Sequence, residues 1–237
     1  MPLLRVMPPI TIDKIILASF GSKWRANGGC LRRTPPRSST ELGQLFDKAV
    51  ANSLSKMLGD IPIREPNSKA LTPPEQDCVE LGNVRVIGGV RPQNFDVGYR
   101  PDGPRFAFDS KTLNDKKSIK KNWQNMINDI ATEATTVHTR FPHAVVAFIV
   151  IYPEPCVADS QRKATIETLE RMAKRVTVNN SMHMAEAISL VLWNPDDGTI
   201  DPNTPEPQSP LRLEFFSQFV ETVYVNRYKG LPPHATD

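Results

Sequence analysis

The stretch Asn94-Phe95-Asp96-Val97-Gly98-Tyr99-Arg100-Pro101-Asp102-Gly103-Pro104-Arg105-Phe106-Ala107-Phe108-Asp109-Ser110-Lys111 reads as two strands joined by a tight turn. Phe95, Val97 and Tyr99 alternate with Asn94, Asp96 and Gly98, and Phe106 and Phe108 alternate with Ala107, Asp109 and Lys111. Arg100 to Pro104 between them is a turn signal. Period 2 puts Asp109 and Lys111 on one face of their strand. A turn centred on Asp102-Gly103 sets Asp96 opposite Asp109, with Cβ atoms roughly 4.5–5.5 Å apart. Like charges facing each other destabilise a sheet, and a divalent cation between them removes the conflict. Few oxygen ligands, with water and phosphate completing the shell, describe Mg²⁺ better than zinc.

Working outward, Val84 to Val90 is a third, β-branched strand, and a loop rich in Pro, Asn and Ser covers about 60 to 77. Upstream, Ser38 and Glu41 have the spacing of a capping box and open a helix with Leu42, Leu45, Phe46 and Ala49 on its apolar face. Gly59 is its expected stop. Downstream, Ile119, Trp123, Met126, Ile127, Ile130, Ala134 and Val137 mark one face of a helix over 118 to 137. Ala144 to Tyr152 is a continuous apolar run, as expected of a strand buried on both sides. A helix near 159 to 175, a strand near 187 to 193, a Pro-rich acidic loop from 195 to 210 and a helix near 211 to 226 follow. The order predicts an α/β fold with a mixed central sheet flanked by helices and an αβββαβ core.

The 237 residues are 39% hydrophobic and 23% charged, which suits a chain with a real core and fits poorly with collagen, disorder or coiled coil. The longest near-apolar run is about half of the ~20 residues that a membrane-spanning helix needs, so no membrane association is expected. Cys30, Cys78 and Cys156 are odd in number and widely spaced, which predicts no disulfide framework, no structural zinc and a cytoplasmic location. Four scattered histidines give no H-x-x-x-H spacing, and His138 and His143 read as structural. Charge is uneven. Residues 1 to 40 carry Arg5, Lys14, Lys23, Arg25, Arg32, Arg33 and Arg37 against Asp13 alone, and Lys111, Lys116, Lys117, Lys120 and Lys121 form a second cluster. Such clusters suit a polyanion. With Gly28-Gly29 and Pro35-Pro36, residues 21 to 37 read as a flexible basic arm. The chain thus divides into an arm over 1–37 and one domain over 38–237, with a core at 38–152 and a C-terminal elaboration at 153–237.

Asn94-Phe95-Asp96, twelve residues and then Asp109-Ser110-Lys111, within this element order, resembles the PD-(D/E)XK nuclease superfamily, the fold of most type II restriction endonucleases. Phe95 stands where the motif has proline, and the literal Pro101-Asp102 lies in the turn, only six residues before Asp109. The resemblance implies a restriction-endonuclease-like sheet and a Mg²⁺-dependent DNA endonuclease acting as a homodimer on double-stranded DNA. It implies that Asp96, Asp109 and the Ser110 carbonyl hold the metal and that Lys111 orients and helps to deprotonate the attacking water. The alternative for Asp109 and Lys111 is a surface salt bridge. Glu41 stands where the superfamily often has a metal-binding glutamate on its first helix, while the capping box explains it equally well. A second triplet, Asp115-Lys116-Lys117, falls in the junction before the long helix, where Asp115 reads as a cap or a solvated residue. A repair, resolvase or phage-defence nuclease and a non-catalytic DNA-binding relative are the other functional readings. The expected DNA-contacting residues are Lys23, Arg25, Arg32, Arg33, Arg37, Lys116 and Lys117.

Overall fold

The computed structural model describes residues 4–67 and 70–234. The first three residues of the expected arm, residues 68–69 of the expected loop and the last three of the C-terminal elaboration lie outside the described residues. The chain is α/β. Its elements are α1 (Lys14–Ala26), α2 (Pro36–Met57), β1 (Ile63–Arg64), β2 (Val79–Ile87), β3 (Pro92–Tyr99), β4 (Phe106–Thr112), α3 (Lys116–Arg140), β5 (Val145–Pro153), α4 (Asp159–Met172), β6 (Ala187–Trp193) and α5 (Leu213–Tyr228). The six strands form one mixed sheet in the order β1-β2-β3-β4-β5-β6. β2, β3 and β4 form an antiparallel meander, while β1 joins β2, β5 joins β4 and β6 joins β5 in parallel.

Alternation along the strands builds two cores. Val145, Ala147, Ile149 and Ile151 of β5 pack with α2 and α5 on one face, and Val146, Phe148, Val150 and Tyr152 pack with α3 and α4 on the other. A strand covered on both sides has no polar face, which is why this run is continuously apolar. Ile119, Met126, Ile127, Ile130, Ala134 and Val137 form the buried stripe of α3, as their spacing requires. Asp115 caps that helix, accepting from the Ser118 N–H at 2.8 Å.

Four departures from the sequence reading go beyond element bounds. Residues 21 to 37 are not a free arm. Residues 21 to 26 are the last turns of α1, and Trp24 is buried edge-on against Trp193, with ring centroids 6.3 Å apart. A Cβ at Gly21 would come within 1.8 Å of the Pro195 carbonyl, so this glycine serves close packing rather than flexibility. Second, the chain holds a disulfide. Cys30 and Cys156, with Cα atoms 5.3 Å apart, tie the segment after α1 to the turn after β5. Pairing across 126 residues leaves no local spacing signal. Third, α2 starts at Pro36, whose missing N–H suits the first helical position, so Ser38 and Glu41 lie inside the helix and make no capping box. Fourth, Phe95 packs on the α3 side while Val97 and Tyr99 pack on the α2 side. A bulge lies beside this point: the β2–β3 register shifts between Leu81 and Val84, setting Gly82 and Asn83 against Asp96, and Gly82 adopts φ +132° there. β2 also begins and ends earlier than the expected Val84–Val90.

His138 belongs to a buried ionic hub. Glu186 bonds Arg175 and Arg227, each at 2.9 Å, lies 3.2 Å from His138 Nε2 and accepts the Val146 N–H at 2.8 Å. Burial opposes its charge, but these partners outweigh burial and hold its carboxyl below the usual range. The hub fastens α3, α5 and the start of β6 to the sheet. Glu186→Ala would leave the fully buried Arg175 short of its carboxylate partner. It should cost about 3–5 kcal/mol in urea-unfolding stability.

Candidate functional site

The β3–β4 ladder closes with the register read from the sequence, Tyr99 against Phe106, Gly98 against Ala107 and Val97 against Phe108, and then stops. Beyond that point the Ser110 N–H bonds the Asp96 side chain, at 3.0 Å to Oδ2. Asp96 meets Asp109 here, and after burial it is this neighbouring carboxyl that pushes the Asp96 pKa up. Lys111 lies on the Asp109 face, and its Nζ bonds Asp109 closely and Glu133 Oε1 at 2.8 Å. Both Asp109 and Lys111 are largely buried, so their pair is not a solvated surface bridge.

Two residues that the strand reading missed complete the group. Asp47 of α2 lies beside Ser110 and close enough to Asp96 to feel its charge, while the Ser110 hydroxyl donates to Asp96 Oδ2 at 3.3 Å. Gly43, one turn earlier, allows the approach: a Cβ there would sit 2.8 Å from Ser110 Oγ. Glu133 of α3 comes from the opposite helical layer, and Gln93 Nε2 donates to its Oε1 at 3.0 Å. A signal for both was present. Gly43, Asp47, Val50 and Leu54 follow a helical apolar stripe, as do Ile130, Glu133, Ala134 and Val137, so each acid occupies a core position.

Four carboxyls thus follow one another from Asp47 through Asp96 and Asp109 to Glu133, and the Lys111 ammonium pairs with the last two. Burial, followed by the Asp96 charge, pushes Asp47 well above the usual carboxylate range, and burial with the Asp109 interaction does the same for Asp96. Burial also raises Asp109 and Glu133. Burial works against the charge on Lys111, but the carboxylates of Asp109 and Glu133 outweigh it and raise its pKa. Oδ1 of Asp47 and Oε2 of Glu133 are buried without a hydrogen-bond partner. Among the described residues no group of three or more His, Cys, Asp or Glu side chains is spaced to hold a metal ion.

Asp47, Asp96, Asp109 and Ser110 line an open cleft of about 800 Å³ walled by α2, β1 and the β2 bulge, with Lys48 and Arg64 also on its walls. Glu41 is not part of it. It pairs with Arg37 at 3.1 Å and lines a separate small cavity beside Trp24. Asp47, six residues on, occupies the cleft wall instead.

The basic residues gather beside the cleft. The Asn114 carbonyl, in the β4–α3 connection, accepts from Trp24 Nε1 at 2.7 Å and from Thr34 Oγ1 at 3.2 Å, and Asn114 Nδ2 donates to Ser39 Oγ at 2.7 Å. Ser39 itself lines the cleft. This junction brings Lys23, Arg32, Arg33 and Arg37 to the same region as Lys116 and Lys117, all exposed. Arg25 is also exposed and pairs with Asp196.

A buried carboxyl with a raised pKa binds its proton more tightly in the folded state, so it destabilises the fold as pH climbs from about 4 towards 8. Without divalent cations, Asp47→Asn should flatten that decline and stabilise the protein by about 1–2 kcal/mol at pH 8, as read by thermal unfolding against pH. A steeper decline would place Asp47 in an ionised, paired state instead. Compared with known proteins, the chain matches no family model, no curated protein and no solved structure.

Proposed function

We propose that the chain is a Mg²⁺-dependent DNA endonuclease with a PD-(D/E)XK-type site on a restriction-endonuclease-like fold, a type II restriction enzyme that acts as a homodimer on duplex DNA. The observation that carries this reading is the meeting of Asp96 and Asp109 at an open cleft where β3 and β4 part, with Lys111 bonded to Asp109 from behind the cleft lining. A phosphodiester is anionic and repels hydroxide, so its hydrolysis needs cationic neutralisation, a placed nucleophile and a stabilised leaving alkoxide.

The residues present fit a magnesium ion. Mg²⁺ binds through one or two carboxylates and keeps water and phosphate for the rest of its shell, so a pair of acids is enough and a ready-made trio is not required. Asp96 and Asp109 would hold it together with the Ser110 carbonyl, and the unpartnered Asp47 oxygen supplies the helix acid that the family resemblance sought in Glu41. When bound, the ion would neutralise phosphate charge and make a hydroxide accessible near neutral pH. Lys111 places one positive charge among the acids and is the group that orients the attacking water. Lys48 and Arg64 offer phosphate contacts within the cleft. Arg32, Arg33, Arg37, Lys116 and Lys117 give a basic margin for the flanking backbone, and Lys23 and Arg25 extend it along α1. A second copy would serve the second strand.

Incubation with supercoiled plasmid should give Mg²⁺-dependent linear product. Asp96→Ala, Asp109→Ala and Lys111→Ala should each lose at least about 10³-fold in rate, while the two aspartate variants still bind DNA. Lys117→Ala, outside the cleft, should lose at most one phosphate contact and cleave bound DNA almost normally. Equal loss at both lysines would reduce the site to a general basic patch. Replacing Arg32 and Arg33 together by Ala should flatten the log–log salt dependence of DNA binding by roughly 1 to 2 units, as expected if both contact phosphate. An unchanged slope would remove them from the DNA surface.

A further inference from the structure

We propose that Glu133 is a positioning residue that fixes the Lys111 ammonium within the site; its catalytic meaning rests on the nuclease reading above. Lys111 has two carboxylate partners with different surroundings. Asp109 lines the cleft and also contacts Asp96, so it is shared with the acids assigned to the cation. Glu133 does not line the cleft and is 4% exposed. It is therefore the Lys111 partner that substrate and cation leave untouched.

Glu133 is itself held firmly. It stands on the buried stripe of α3 between Ile130 and Ala134, and Gln93 of β3 donates to the oxygen that receives Lys111. The seat is thus built from three elements: β3 supplies Gln93, α3 supplies Glu133 and β4 supplies Lys111. A lysine ammonium is a point charge on a flexible four-carbon stem, and it needs such a seat to act from one position. A carboxylate buried on the core face of a helix is costly unless it is paired. The Lys111 contact meets that need at one oxygen, while Oε2 remains without a partner. The seat reaches Lys111 from the α3 side, so the ammonium is held between Asp109 of the cleft lining and Glu133 behind it.

The test uses the full chain and two readouts. In the first, lysines are reductively methylated and quantified by peptide mass spectrometry, with the exposed Lys117 as the internal reference. In the wild type Lys111 should react at least about 10-fold more slowly than Lys117, and Glu133→Ala should bring it to within about 3-fold. Glu133→Gln preserves volume and one acceptor oxygen; it should fall between the two and serves as the folded control if the alanine variant is unstable. In the second, single-turnover cleavage by Glu133→Ala should slow by about 10²-fold, with DNA affinity and Mg²⁺ midpoint unchanged within about 3-fold. Lys111→Ala/Glu133→Ala should cleave no more slowly than Lys111→Ala, because Glu133 acts through Lys111. Unchanged Lys111 labelling in both Glu133 variants overturns the proposal. So does an additive loss in the double variant, and a shifted Mg²⁺ midpoint would make Glu133 a ligand instead. A wild type that cleaves no DNA sinks the nuclease reading alone, and the labelling then decides by itself whether Glu133 seats Lys111.

Discussion

Four carboxyls set in a row at the open end of a hairpin, with one ammonium bonded to only two of them, form the constraint to which the rest of this structure answers. Asp47, Asp96, Asp109 and Glu133 all have raised pKa values, because burial and mutual repulsion oppose their charge. No single element could bear such a group, and none does. Asp47 comes from one helical layer, Glu133 from the other, and the remaining three residues come from the sheet between them. The sheet can carry the load because its interior is dry and continuous, with every residue of β5 and β6 buried. The ionic hub around Glu186 lies deeper, but it balances its charge with arginines, so it stabilises the fold where the cleft strains it.

The ladder and the side chain divide the work at the cleft floor. As far as Val97 and Phe108 the hairpin is held by backbone pairing, and beyond it Asp96 accepts the Ser110 N–H that the partner strand no longer serves. The bulge at Gly82 and Asn83 lies directly across from Asp96. A bulge bends and twists its strand, and beside this one Phe95 joins the α3-side core, Val97 joins the α2-side core and the intervening aspartate lines the opening.

The sheet and the central acids were legible in the sequence because period-2 and period-3.6 patterns are local. Asp96, Asp109 and Lys111 fell out of a hairpin whose turn sets its own register, and the α3 stripe was visible at every turn. What was not legible depended on contacts between distant segments. The α2 acid was sought at Glu41, where a capping-box spacing offered a local signal, but Pro36 begins the helix and turns Glu41 towards Arg37. Asp47 and Glu133 required a different question, namely why an acid sits at a core position of an amphipathic helix. The Cys30–Cys156 bond was invisible because nothing near either cysteine marks its partner. The arm was misread for a related reason: glycine and proline signal turns statistically, yet at Gly21 the absence of a side chain lets α1 pack against Pro195.

The docked N-terminal segment changes how the basic residues can act. A free arm would have to lose conformational entropy on meeting a polyanion, and that ordering cost would weaken each contact. Here Trp24, Thr34 and Ser39 converge on Asn114, and the Cys30–Cys156 bond closes the segment from the other side. The ordering has already been done by folding, with the indole of Trp24 buried as its anchor. Asn114 also directly precedes the Asp115 cap of α3, so the same connection fixes the start of the helix that carries Glu133. The positions of the exposed basic residues and of Glu133 beside Lys111 are thus tied to one short junction at the end of β4, which joins the surface beside the cleft and the candidate site within one frame.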